Sequence, residues 1–222
     1  MRRIDRAARL LALLLLAGGL SCGGGDGGSN IVEPGTPEEL TSEGWTEFEQ
    51  GDFGAAMESF DAAIKADATY GPAYVGKGWT HLSRASGSTE LATAIAAFEN
   101  ASQHGETGAD LRAGRAAAAL ALGSDLYLSS AITDAQAARL ANPSFIFSHR
   151  PSFNVEDLVL VEAFALAGKN QIAQALDAAN QIQASSIEAG NPVTWTIGGV
   201  TYPSFESAVL AFLQKLSNER SG

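Results

Sequence analysis

Three histidines, His81, His104 and His149, are the side chains of this 222-residue chain best suited to move a proton or hold a metal near neutral pH. None stands in a His-Glu-x-x-His pattern or beside a cysteine pair, the spacings that bring two ligands onto one helix face or one turn, so no metal site is predicted. The serines offer no Gly-x-Ser-x-Gly elbow, and no glycine-rich strand-to-helix turn is present to cradle a phosphate. Acidic residues number 25, but most fall at solvent-facing helical positions, where a hydrated surface is their ordinary role. With no nucleophile, base and orienting group in one pattern, the sequence predicts a protein that is not an enzyme and uses no cofactor.

The one remaining reactive group is the thiol of Cys22, the only cysteine. Arg2, Arg3, Arg6 and Arg9 precede an apolar run from Leu10 to Leu20 that ends in small residues, the order of an export signal. The run is shorter than the roughly 20 apolar residues that a membrane-spanning helix needs. In an oxidising compartment a lone cysteine has no internal disulfide partner, and acylation accounts for it. Gly19-Leu20-Ser21-Cys22 resembles the lipobox of bacterial lipoprotein signal peptides, with Gly19 where a leucine-like residue is usual. The resemblance implies removal of residues 1–21 and lipidation of Cys22 with a diacylglycerol and an amide-linked chain. Gly23 after the cysteine, in place of aspartate, points to the outer membrane facing the periplasm. A plain secretory signal beside a chance cysteine is the alternative. The processed chain would carry 10 basic against 24 acidic residues, a net charge of −14, which repels phosphate backbones and argues against nucleic-acid binding.

Recognition, then, falls to aromatic side chains, and their spacing is informative. Gly44-Trp45-Thr46 recurs as Gly78-Trp79-Thr80, 34 residues later. Between the copies, Gly51-Asp52-Phe53 marks a turn, and Ala56, Phe60 and Ala63 follow at helical spacing. These residues resemble the tetratricopeptide repeat, with its 34-residue period, its turn and its A-x3-F-x2-A second helix. Ala94, Phe98 and Ala101 carry the pattern into a second unit. Gly114, Ala131, Ala138 and Pro143 carry it into a third, and Ala163, Phe164, Gly168 and Ala173 into a fourth. The expected fold is all-α: an antiparallel helix-hairpin solenoid of about four repeats, with helices over 37–50, 53–66, 71–84, 89–103, 109–122, 124–140, 155–167 and 170–184.

Four segments follow: a signal peptide (1–21), a lipidated, glycine-rich tether (22–36), the helical repeats (37–184), and a C-terminal unit (185–222). In the last, Val193–Ile197 and Val200–Tyr202 flank Gly198-Gly199 and read as a β-hairpin. A capping helix follows, with Phe205, Val209, Phe212, Leu213 and Leu216 on one face. Thr36-Pro37-Glu38-Glu39 reads as a capping box opening the first helix.

Two groups of residues are candidates for partner binding. Trp45 and Phe48, with Trp79 and Leu82 one repeat later, would form an apolar strip on the first helices, which line the concave groove in the repeat family. Packing between repeats is the alternative. The connection Ser144–Phe153 is eight residues longer than the family spacing, and it concentrates Phe145, Phe147 and Phe153 around His149 and Arg150. It reads equally as a contact surface or as a plug filling the gap between repeats. The function so indicated is a lipid-anchored envelope scaffold that holds a protein or peptide. A glycan- or solute-binding lipoprotein serving an outer-membrane transporter is the alternative, with Trp45, Trp79, Trp195 and Tyr202 stacking on sugar rings.

Overall fold

A computed structural model describes residues 35–221, so Cys22, the export segment and most of the tether lie outside the described residues. Eight helices come first: α1 (Pro37–Gln50), α2 (Phe53–Ala66), α3 (Gly71–Arg84), α4 (Ser88–Gln103), α5 (Ala109–Leu122), α6 (Asp125–Ala141), α7 (Val155–Gly168) and α8 (Ile172–Ala179). They form four antiparallel hairpins stacked in chain order, and the first helices α1, α3, α5 and α7 touch one another in sequence. A two-stranded sheet, β1 (Thr196–Ile197) and β2 (Val200–Thr201), and a last helix α9 (Phe205–Ser221) complete the described chain.

Local chemistry explains the boundaries. Thr36 Oγ1 accepts the Glu39 amide at 3.2 Å while the Glu39 carboxylate accepts the Thr36 amide at 2.9 Å, so two orphan donors at the start of α1 are satisfied reciprocally. Gly51 closes α1 in the left-handed region, at φ 81°, and Asp52 opens α2 by accepting the Ala55 amide at 3.1 Å. Asn154 and Asp157 make a second capping box at the start of α7.

Stacking of the hairpins rests on rings lodged against glycines. Phe60 of α2 is fully buried, and a Cβ added at Gly44 or Gly76 would lie 2.8 or 2.2 Å from its ring. Phe98 of α4 repeats the arrangement between Gly78 and Gly114, at 2.5 and 2.3 Å. Each ring thus occupies space that only glycine leaves on the first helix of its own hairpin and of the next. In the third hairpin the equivalent position is Ala135; there Leu128 of α6 meets Gly168 instead, 2.7 Å from its added Cβ.

The C-terminal unit differs in extent from the sequence expectation. The strands contain two residues each, paired Thr196 to Thr201 and Ile197 to Val200, because Pro192–Thr194 forms a 3-10 turn. Gly198 and Gly199 both take positive φ, 58° and 80°, as a tight hairpin turn requires. Helix α8 is also shorter than the expected 170–184. It begins after Asn170 at φ 61° and ends at Ala179, where Asn180 turns its side chain to accept the Ser185 amide at 2.9 Å. Helix α9 packs on α7 and α8 through Val209, Phe212, Leu213 and Leu216. Its Arg220 reaches Asp157 at 2.9 Å and Asn154 at 3.0 Å, which fastens the cap to the start of α7.

The ring-and-glycine contacts yield opposed expectations for two glycine substitutions. Gly76→Ala should destabilise the fold by about 1–3 kcal/mol, because overpacking against Phe60 exceeds the helix-propensity gain of about 1 kcal/mol. Gly54→Ala, whose added methyl meets only Asp52 Oδ1 at 3.5 Å, should hold or raise stability. Thermal melting followed by circular dichroism separates them, at about 2–4 °C per kcal/mol for a chain of this size. Equal midpoints for the two variants would contradict the packing scheme.

Candidate functional site

The first helices bring Trp45, Phe48, Trp79 and Leu82 to one face, as their 34-residue spacing requires, but most of that strip is interior. Trp79 is fully buried, and Phe48 and Leu82 are 3% and 2% exposed. Trp45 alone keeps partial exposure, with its ring edge-on to Phe48 and Phe60 at 5.4 and 5.2 Å. The buried indole of Trp79 donates Nε1–H to the Asp110 carbonyl at 3.0 Å, so its one polar atom is satisfied across two hairpins.

What covers this face is the connection Ser144–Phe153, between α6 and α7. Its neck is closed by the Val155 amide donating to the Phe145 carbonyl at 2.8 Å and by a bridge between Ile146 and Asn154. Beyond the neck the segment crosses to α1 and α3. Phe147 stacks on Trp79 with centroids 4.0 Å apart and a 15° tilt. His149 stacks on Trp45 at 3.9 Å and 2°, and its Nδ1 lies 2.7 Å from a Glu49 carboxylate oxygen. Arg150 sits over the Phe48 ring at 5.2 Å and donates Nη2–H to Ser83 Oγ at 2.9 Å. Phe153 closes against Trp79 and Phe145 edge-on.

Of the two readings of this connection, the plug describes its phenylalanines: Phe145, Phe147 and Phe153 are 1%, 0% and 8% exposed. Their rings, with Trp79, Phe48 and Leu82, are therefore unavailable to a partner in this conformation, because each apolar surface is already removed from water. Trp45, His149 and Arg150 are the members of the expected binding set that remain partly exposed.

The electrostatics at the tip are uneven. Arg150 has no carboxylate partner among the described residues, and its Nη1 is buried without a hydrogen bond. Burial pulls its guanidinium down to about 10, since the charged form loses hydration that nothing replaces. The last turns of α1 and α3, which carry Phe48 and Ser83, offer it the negative ends of two helices. Burial also raises the Asp110 carboxyl, while nearby His149 acts in the opposite direction. Glu49, Ser83 and Asp110 were not legible as part of this site: His149 and Glu49 are 100 residues apart, and no spacing rule joins them.

Elsewhere, two open grooves lie along the second helices. One, of about 410 Å³, is lined by Ile95, Leu126 and Tyr127, with Arg115 held bidentate by Asp134 at 2.7 Å. The other, of about 570 Å³, runs beside Arg139, Leu140 and Gln181. Among the described residues no group of three or more His, Cys, Asp or Glu side chains is placed to hold a metal ion. No helix among them is long and apolar enough to cross a membrane.

The four stacked helical hairpins give the chain a tetratricopeptide-like fold. A solved structure with this architecture is YrrB, described as a TPR protein with an unusual peptide-binding site. It superposes with a TM-score of 0.55 at 16% identity, covering 82% of this chain and 88% of that chain. A likeness at that identity establishes the fold. No protein-family model matches the chain, and no curated protein matches it.

The contrast between ring and cation gives a paired expectation. Phe147→Ala should cost about 3–5 kcal/mol of stability, the range for emptying a buried aromatic site. Arg150→Met should change stability by less than about 1 kcal/mol, or raise it, because a half-buried guanidinium with one unpartnered nitrogen is exchanged for apolar volume. Denaturant titration checks both, and a Phe147→Ala variant as stable as the parent would remove Phe147 from the core.

Proposed function

We propose that this chain is a lipid-tethered scaffold that holds a protein or peptide segment at the periplasmic side of the bacterial outer membrane. Recognition is by surface complementarity, with no bond made or broken. The observation that carries the reading is the stack of four helical hairpins, an architecture shared with a protein described as having a peptide-binding site. Support for the address comes from the sequence: the basic and apolar leader, the lipobox-like Gly19–Cys22, and the glycine-rich tether that would space the domain from the membrane.

The proposed contact residues are those at the rim of the plugged face, Trp45, His149 and Arg150. An amphipathic ring and a stacked imidazole beside a guanidinium supply the chemistry that concentrates binding energy at interfaces. Phe48, Trp79, Leu82, Phe145 and Phe147 lie behind them and would hold the rim in shape.

Cell fractionation tests the tether, and crosslinking in the same cells tests the scaffold. Cys22→Ser is expected to move the protein from the membrane to the soluble fraction, since two acyl chains supply the anchoring. A Cys22→Ser protein that stays with membranes in high salt would contradict the lipid anchor. A defined protein should crosslink to the parent chain and be lost with a folded Trp45→Ala variant. Unchanged crosslinking in that variant would contradict the rim as the contact surface.

A further inference from the structure

The face of the first helices is occupied by a segment of its own chain, and the manner of its seating resembles a bound peptide. Alternate residues Phe147 and His149 stack on Trp79 and Trp45, one repeat apart, and Arg150 then lies over Phe48. We propose that Ser144–Phe153 is a displaceable internal ligand. The external ligand of the same face is then an extended peptide of matching chemistry, with two ring side chains at alternate positions followed by an arginine. This deepens the scaffold reading above and rests on it.

Three observations favour a displaceable segment over a permanent part of the core. The neck, formed by the Val155–Phe145 and Phe147–Phe153 backbone hydrogen bonds that flank the Ile146–Asn154 bridge, is made of main chain alone, so the side chains of the tip can leave without unravelling α6 or α7. Between neck and tip the backbone bonds only to itself, with the Arg150 amide donating to the Phe147 carbonyl at 3.0 Å and the Phe153 amide to the Arg150 carbonyl at 2.9 Å. The tip also seats imperfectly: its half-buried arginine has one inner nitrogen unpartnered and no carboxylate beside it.

Charge selects the sign of the ligand. Glu49 meets His149 at 2.7 Å, Asp110 lies close enough to feel the same imidazole, and the chain as a whole carries a net charge of −11. A basic, aromatic segment complements that surface, and an acidic one is repelled. A tethered segment competes with any free peptide at an effective concentration in the roughly millimolar range, which keeps the face closed to weak ligands.

The test uses the loop sequence as its own probe. A fluorescein-labelled peptide of residues 144–153 is titrated, with anisotropy readout, against the full chain and against a variant in which residues 147–153 are replaced by Gly-Asn-Gly-Gly. The first and last glycines of the replacement keep the backbone bond that Phe147 donates to Phe153 at 2.9 Å, and Asn-Gly between them is a two-residue turn. The shortened protein should fold, by circular dichroism, with a lowered melting temperature because Phe147 and Phe153 are gone, and bind the peptide saturably, at least about 100-fold more tightly than the full chain does. Adding Trp45→Ala to it should weaken binding at least about tenfold. A folded, shortened protein that binds no peptide overturns the proposal, and so does a shortened protein that cannot fold. On the unaltered chain, the Arg150 and Phe153 amides should exchange with solvent at least about 100-fold faster than the interior amides of α3, because they open locally. Equal protection would overturn the proposal without any mutation. No natural partner is used, so these failures leave the scaffold reading standing, whereas loss of specific crosslinking leaves this result standing.

Discussion

A phenylalanine ring needs a hole of its own size, and two such fits set the spacing of this molecule. Phe60 lies against Gly44 and Gly76, and Phe98 against Gly78 and Gly114, so each ring locks its own hairpin to the next. Close-packed interiors transmit such constraints. Because the rings recur, Trp45 and Trp79 come to lie on one face, and because that face is aromatic, a second set of rings can pack on it. In the third hairpin the ring position is taken by Ala135, and in the connection that follows the chain supplies Phe145, Phe147 and Phe153 to the core instead.

Polar contacts reinforce this order without creating it. Lys77 on α3 reaches Asp61 on α2 at 2.5 Å, Arg115 on α5 grips Asp134 on α6 at 2.7 Å, and Glu162 on α7 is held by Arg139 and by Gln136 at 2.6 Å. Exposed pairs such as the first contribute roughly 1 kcal/mol or less. Glu162 and Asp134 are mostly buried, so their partners matter chiefly by keeping a buried carboxylate from standing alone. Arg150 is the exception in this set, a half-buried cation whose neighbours are a ring and a hydroxyl.

The repeat architecture was legible in the sequence because its signals are local and periodic. Gly44-Trp45-Thr46 and its copy 34 residues on, the turn at Gly51-Asp52 and the capping boxes at Thr36 and Asn154 each depend on neighbours within a turn or on a fixed period. The end of α8 was not legible, since Gln181, Ile182 and Gln183 have the helix-forming composition of the residues before them, and the Asn180 side chain that accepts the Ser185 amide beyond the helix end follows no local pattern. For the loop, length and composition flagged a specialised segment, but its destination depended on contacts up to 100 residues away, Phe147 with Trp79 and His149 with Glu49. Aromatic residues serve core and interface equally well, so residue type alone could not choose between plug and contact.

In a stack of helical hairpins the first helices together present one continuous face. Here that face is lined by large aromatics and covered from within, which makes the loop the element on which access to the face depends. The central claim is that the loop tip rests on α1 and α3 while the rings of α2 and α4 sit between glycines. Isotope-edited nuclear Overhauser spectroscopy of the folded domain measures both at once. Cross-peaks are expected from the Phe147 ring to the Trp79 indole, from the His149 ring to the Trp45 indole, and from the Phe60 ring to the α-protons of both Gly44 and Gly76. A spectrum with the Phe60 contacts present and every loop contact absent would contradict a covered face, and one lacking the Phe60 contacts would contradict the hairpin stack itself.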